Sequence, residues 1–177
     1  MVMEHGGAEI INDISGLRWD PRLAEVAAGS NAGLILMHSR GDFDKMHSQP
    51  PVEDILSEVG TGLRESVACA NKWGVADDQI VLDVGIGFGK TPEQNFELIA
   101  NLDKLVAEFP QFAFLVGASR KSFIGKLLGD APPGERLSGS LATAAIAAWN
   151  GASIVRVHDV KETAEVVKVV DAIKSQL

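Results

Sequence analysis

Five short runs rich in isoleucine, leucine and valine recur along the chain, at residues 9–14, 34–37, 80–84, 114–116 and 153–157. They are apolar on both faces, the pattern of strands buried in a parallel sheet covered by helices. Helical patterns fill the intervals. Asp20-Pro21 offers a cap followed by proline at the first helical position, leading to Gly29. Val52, Ile55, Leu56, Val59, Leu63 and Val67 keep a helical apolar stripe that stops at Gly74. Thr91-Pro92-Glu93-Gln94 joins a cap, an early proline and a glutamine three residues on, predicting a helix to about Glu108. An alanine-rich helix over 138–149 ends at Asn150-Gly151, and 162–174 is amphipathic. The order is β-α repeated five times, which requires parallel strands and right-handed crossovers in one α/β domain spanning 1–177.

Composition narrows the function. Sixteen Lys and Arg stand against 24 Asp and Glu, a net charge of −8. Such a chain repels nucleic acid and anionic lipid alike. No stretch approaches the ~18 apolar residues of a membrane span, and Met1-Val2-Met3-Glu4-His5 lacks the features of a signal peptide, so a cytoplasmic protein is expected. Cys69 is a single cysteine in an apolar helical setting and reads as core. His5, His38 and His47 have no metal-ligand spacing.

Every strand runs into polar chemistry at its C-terminal end: Asn12-Asp13, His38-Ser39-Arg40, Asp83 with Gly85-Ile86-Gly87-Phe88-Gly89-Lys90, Ser119-Arg120-Lys121-Ser122, and Arg156, His158 and Asp159. In parallel α/β proteins these ends converge on one face, where sites form. Arg40, Lys90, Arg120, Lys121, Arg156 and His158 are therefore expected to meet there, and a small anion such as phosphate or pyrophosphate is the natural ligand. Asn12 can offer a donor and an acceptor side by side, and Asp83 can accept two parallel N–H bonds, which suits a flat heterocycle with an amidine-like edge. The bland alternatives are that Asp83 caps a loop or pairs with Lys121, and that Asn12-Asp13 simply turns the chain. The glycines at 85, 87 and 89 fit neither the phosphate loop nor the dinucleotide fingerprint and mark only a tight strand-to-helix passage. Residues 39–51 read as a mobile active-site loop, and 128–136 as a second loop.

Taken together, Ile11-Asn12-Asp13-Ile14-Ser15, Leu36-Met37-His38, Leu82-Asp83-x-Gly85-Ile86-Gly87-Phe88-Gly89-Lys90, Gly117-x-Ser119-Arg120-Lys121-Ser122, Arg136-Leu137-Ser138-Gly139-Ser140 and Arg156-Val157-His158-Asp159-Val160 resemble the dihydropteroate synthase family of folate biosynthesis. The resemblance runs in order along essentially the whole chain. It implies a TIM (β/α)8 barrel, of which about five of eight βα units are present, and a transferase of the class that sulfonamides target. The implied reaction condenses 6-hydroxymethyl-7,8-dihydropterin diphosphate with 4-aminobenzoate, with Mg²⁺, giving 7,8-dihydropteroate and pyrophosphate. By the same resemblance Asn12, Met37, Asp83, Phe88, Gly117, Lys121 and Arg156 would form the pterin pocket. Arg156 and His158 would hold the diphosphate, Phe88, Lys121 and Ser122 the aminobenzoate, and Lys121, Arg156 and His158 would carry catalysis. The family's metal ligand has no counterpart in this chain, and a homodimer through the late helices is implied.

Two positions depart from the family pattern, Val84 for proline and Ser39 for methionine. A larger departure is the lack of the family's first three βα units. Three explanations are open: a fragment, which by itself would be inactive; a short chain completed by a partner subunit; or closure as an open flavodoxin-like sheet. A non-catalytic pterin-binding subunit and a methyltetrahydrofolate methyltransferase are the competing functions.

Overall fold

Each apolar run pairs with the run that follows it in the chain. In the computed structural model, which describes residues 7–41, 44 and 49–177, the strands are β1 (Ile10–Asp13), β2 (Gly33–Met37), β3 (Ile80–Asp83), β4 (Ala113–Val116) and β5 (Ile154–Val155). All pairs are parallel and the spatial order is β1-β2-β3-β4-β5. The order never doubles back, so there is no point at which helices switch from one side of the sheet to the other. This is the succession of a barrel wall, five βα units of the (β/α)8 type, and not the reshuffled order of a flavodoxin-like sheet.

Among the described residues the α-helices are α1 (Arg22–Ser30), α2 (Ile55–Lys72), α3 (Pro92–Ala100), α4 (Leu102–Glu108), α5 (Ser122–Leu127), α6 (Leu137–Trp149) and α7 (Val160–Lys174). Their ends obey local chemistry. The Asp54 side chain accepts the Ser57 N–H at 2.9 Å and starts α2. Thr91 and Gln94 form the expected reciprocal cap of α3. The single helix expected to reach Glu108 instead breaks at Asn101, which leaves the helical region at φ −115° and ψ 24° while its side-chain amide joins its own N–H in donating to the Glu97 carbonyl, at 2.9 and 3.0 Å. Likewise α1 is closed by Asn31, left-handed at φ 53°, two residues beyond Gly29.

The sheet has two unlike faces. Leu34, Leu36, Leu82 and Phe114 are fully buried in the core with Ala24, Val59, Leu63, Leu98 and Leu102 from α1 to α4. The register Asn12↔Ile35, Ile35↔Val81, Val81↔Ala113 and Leu115↔Ile154 sets the opposite face. With a side-chain period of two, that face carries Asn12, Met37, Asp83, Gly117 and Arg156 at its C-terminal rim. Its apolar residues at the two edges stand open, Ile10 at 62% and Ile154 at 41% exposure. Among the described residues no helix is long and apolar enough to cross a membrane. His5, His47 and much of the loop expected to be mobile lie outside the described residues.

Candidate functional site

The strand ends on this open face converge on one carboxylate. Asp83 closes β3 and is 1% exposed, where an unpartnered charge would cost on the order of several kcal/mol. Both oxygens are bonded: Oδ1 accepts the Gly85 N–H at 2.8 Å and Oδ2 accepts Arg156 Nη2 at 2.8 Å. Arg156 follows β5, and its Nη1 lies 3.4 Å from Asn12 Oδ1 at the end of β1. One guanidinium thus links the ends of the first, third and fifth strands. Gly117 makes room for it, because a Cβ there would stand 2.8 Å from Nη2 and 3.2 Å from Cζ. Around this group opens a cavity of about 340 Å³ lined by Asn12, Ile14, Phe88, Gly117, Ser119, Lys121, Arg156, Val157 and His158.

The loop after β3 forms one wall. Gly85, Gly87 and Gly89 take φ of 67°, 81° and 73°, a left-handed path that coils the chain around the Lys90 side chain. Lys90 Nζ donates to the carbonyls of His38, Gly85 and Phe88 at 3.2, 2.9 and 3.2 Å. That grip sets Phe88, whose ring lies 4.1 Å beneath the Lys121 ammonium. Burial lowers the pKa of Lys121; Asp83 opposes the shift and Arg156 adds to it. Burial also pushes Lys90 from its usual 10.5 to about 7, with Asp83 and Glu58 opposing and Arg40 and Lys121 reinforcing.

A pH dependence of stability follows. Between about pH 7 and 10.5 the unfolded chain holds the Lys90 proton while the folded chain has released it, so stability rises with pH through that window. Below about 7 both states are protonated and the cost of the enclosed ammonium is felt in full. Unfolding free energies from urea titration should climb from pH 7 to 10 by on the order of 1 kcal/mol or more relative to Lys90→Met. Parallel curves for the two proteins would refute the enclosed-ammonium reading.

A second wall joins the segments after β4 and β5. Ser119 Oγ lies 3.0 Å from His158 Nδ1 and accepts the His158 N–H at 3.3 Å. Next to it, Arg120 Nε and Nη2 donate to Asp159 Oδ2 and Oδ1 at 3.1 and 2.5 Å. From behind, the start of α6 grips the Arg120 backbone: its N–H donates to Ser140 Oγ at 2.9 Å and its carbonyl accepts Arg136 Nη1 at 2.8 Å.

Of the residues expected at the site, Asn12, Phe88, Gly117, Lys121, Arg156 and His158 border one cavity, and Asp83 anchors it through Arg156. Met37 is buried opposite Asp83 in the ladder and does not border the cavity, nor does Ser122, which is exposed at the start of α5. The expected gathering of cations is smaller than the charge count suggested. Arg40 is bonded to the carbonyls of Pro50 and Gly89, Lys90 to three carbonyls and Arg120 to Asp159, leaving Lys121, Arg156 and His158 at the cavity. Asp13 is a turn residue, accepting from Ser15 and Leu17. His38 packs against Gly62 of α2, and burial, followed by the charges of Lys90, Arg18 and Arg40, drives its pKa down to about 2, so the ring is neutral. Ser119 and Asp159 stand at the strand ends as expected, but their partners His158 and Arg120 and the inward role of Lys90 are not legible from the residues alone.

Comparison with known proteins places these features in context. Residues 2–158 match the family described as pterin binding enzyme. The dihydropteroate synthase of Escherichia coli K12 is 47% identical over 168 residues, covering 94% of this chain and 57% of that protein. That of Synechocystis is 45% identical over 167 residues with the same coverage. Among solved structures, the Yersinia pestis dihydropteroate synthase with a sulfonamide drug superposes with a TM-score of 0.91 at 39% identity, over 98% of this chain and 62% of that one. The Thermus thermophilus dihydropteroate synthase in complex with 6HMPPP gives 0.87 at 37% identity, over 95% and 65%. The chain therefore spans about 57% of the length of the E. coli and Synechocystis relatives.

Proposed function

This chain belongs to the pterin-binding enzyme family, and on that premise we propose that it is the pterin-binding part of a dihydropteroate synthase. The observation that carries the reading is the Asn12–Arg156–Asp83 arrangement beside a cavity that Lys121, Arg156 and His158 also line. Asp83 and Asn12 would take the amidine-like edge of 6-hydroxymethyl-7,8-dihydropterin diphosphate; each carboxylate oxygen can accept a second donor beside the one it holds. Arg156, lying flat over Gly117, would stack on the ring and with His158 hold the diphosphate. Lys121 and Phe88 would border the place of 4-aminobenzoate, with Met37 shaping the pocket from behind Asp83 and Ser122 near the aminobenzoate carboxylate.

The chemistry asks little else of the protein. The C–O bond to pyrophosphate breaks, the aniline nitrogen forms the new C–N bond and releases a proton, and no protein nucleophile intervenes. Catalysis is then leaving-group stabilisation and alignment, which Arg156, His158 and Lys121 supply. Magnesium belongs to the whole reaction as proposed, but the residues here do not fit it. Among the described residues no three His, Cys, Asp or Glu side chains gather, and Asp83 and Asp159 are each bonded to a guanidinium. Ile146, Trp149, Val169 and Ile173, left exposed on α6 and α7, support a homodimer, and the net charge of −8 supports a protein without nucleic-acid or anionic-membrane partners, for which a cytoplasmic location is proposed.

Calorimetric titration of the folded chain with dihydropterin diphosphate should give saturable binding. Added 4-aminobenzoate should release no pyrophosphate from this chain by itself. A folded chain that binds neither the diphosphate nor dihydropterin would end the reading.

A further inference from the structure

The Arg120–Asp159 bridge is not an ordinary surface pair. It is bidentate, its side chains are only 34% and 17% exposed, and it sits one residue from Lys121 on one side and one residue from His158 on the other. The Ser119–His158 bond runs beside it, so two consecutive residues of one segment grip two consecutive residues of the other. Arg120 is also held at φ 58°, unusual for a side chain of its kind, with both backbone groups bonded to Arg136 and Ser140 of the α6 start. The hydrogen bonds across the bridge lower the Asp159 pKa and raise that of Arg120, so both stay charged.

We propose that Arg120 and Asp159 are positioning residues that latch the segment after β4 onto the segment after β5, fixing Lys121 and His158 at one spacing for a ligand that bears a diphosphate. The inference rests on the pterin diphosphate reading. The Nε–Nη2 fork of Arg120 faces Asp159 in a bidentate pair and Arg120 does not border the cavity, so it acts through its neighbours. Misplacement of a contact group by about 1 Å can cost on the order of a hundredfold in a preorganised site, and the diphosphate, held through His158 on the latched segment, is the part of the ligand most sensitive to that placement.

Wild type, Asp159→Asn and Arg120→Lys are titrated with dihydropterin diphosphate and with dihydropterin lacking it. Both variants should weaken the diphosphate ligand about tenfold while dihydropterin stays within about twofold. Equal losses for both ligands, no loss, or tighter diphosphate binding by Asp159→Asn would each overturn the latch, the last by making Arg120 an anion ligand. Arg120→Lys keeps the charge but not the fork, and guards against misfolding of the other variant. Hydrogen exchange of the ligand-free proteins reads the latch without any ligand: residues 119–121 and 157–159 should exchange faster together in both variants at unchanged melting temperature. Unchanged exchange there would overturn it, whereas failure of wild type to bind either ligand would sink the pterin reading instead.

Discussion

Asp83→Asn is expected to lower affinity for dihydropterin about 100-fold while the chain stays folded. Asparagine keeps one oxygen for the Gly85 N–H, so the loop retains its first bond. The other oxygen becomes an amide that donates, and it meets Arg156 Nη2, which also donates. The guanidinium loses its partner, and the ligand edge loses a charged acceptor. Each charge-assisted bond contributes about 1.5–3 kcal/mol, so losses of about 3 kcal/mol in binding follow. Stability should fall by only about 1 kcal/mol, because the Arg156 side chain is 44% exposed and can turn to water. Calorimetry and a thermal melt on the same sample separate the two effects. Unchanged affinity would remove Asp83 from the binding edge, and a collapsed melt would make it a structural residue.

Gly85→Ala should act the other way, on the fold before the ligand. The φ of 67° costs an alanine about 1–2 kcal/mol on its own. Its Cβ would also fall inside the His38 carbonyl oxygen, a backbone atom at the end of β2. That carbonyl cannot withdraw freely: it accepts Lys90 Nζ, and the same residue's N–H donates to the Asp83 carbonyl at 2.9 Å. Relief then requires β2 to separate from β3 at this point, and a total loss of about 4 kcal/mol is expected in urea denaturation. A loss below about 1 kcal/mol would show that the loop can rebuild. Gly117 makes the contrast: its added Cβ meets the guanidinium end of the Arg156 side chain and not backbone, so alanine there should move the guanidinium more than the stability.

What could be read from the residues follows from which interactions are local. Strand identity and the Thr91 cap depend on neighbours a few positions away, and they emerge as expected. The barrel-like order needed more, since five βα units are compatible with two topologies until the register is known. The site divides in the same way. Period-two alternation carries Asn12, Asp83 and Arg156 to one face without any knowledge of distance. Which cations remain free was not legible, because Arg40, Lys90 and Arg120 are tied by partners 49, 52 and 39 residues away in the chain. Charge counting treats all of them alike. Asn101 shows the local limit: a helix-compatible residue whose side chain prefers a carbonyl ends a helix that the apolar pattern would continue.

Because spatial order equals chain order, synthesis can lay down the sheet strand by strand, each new unit docking on the one just made. β5 arrives last and brings both Arg156 and Asp159 within a few residues. A nascent chain halted before residue 154 would hold four paired strands, a buried Asp83 without its guanidinium and an Arg120 without its carboxylate. Among the five described strands, the one made last therefore completes the proposed site. A ligand cannot chaperone the earlier intermediates; it can only favour the molecule that has already finished.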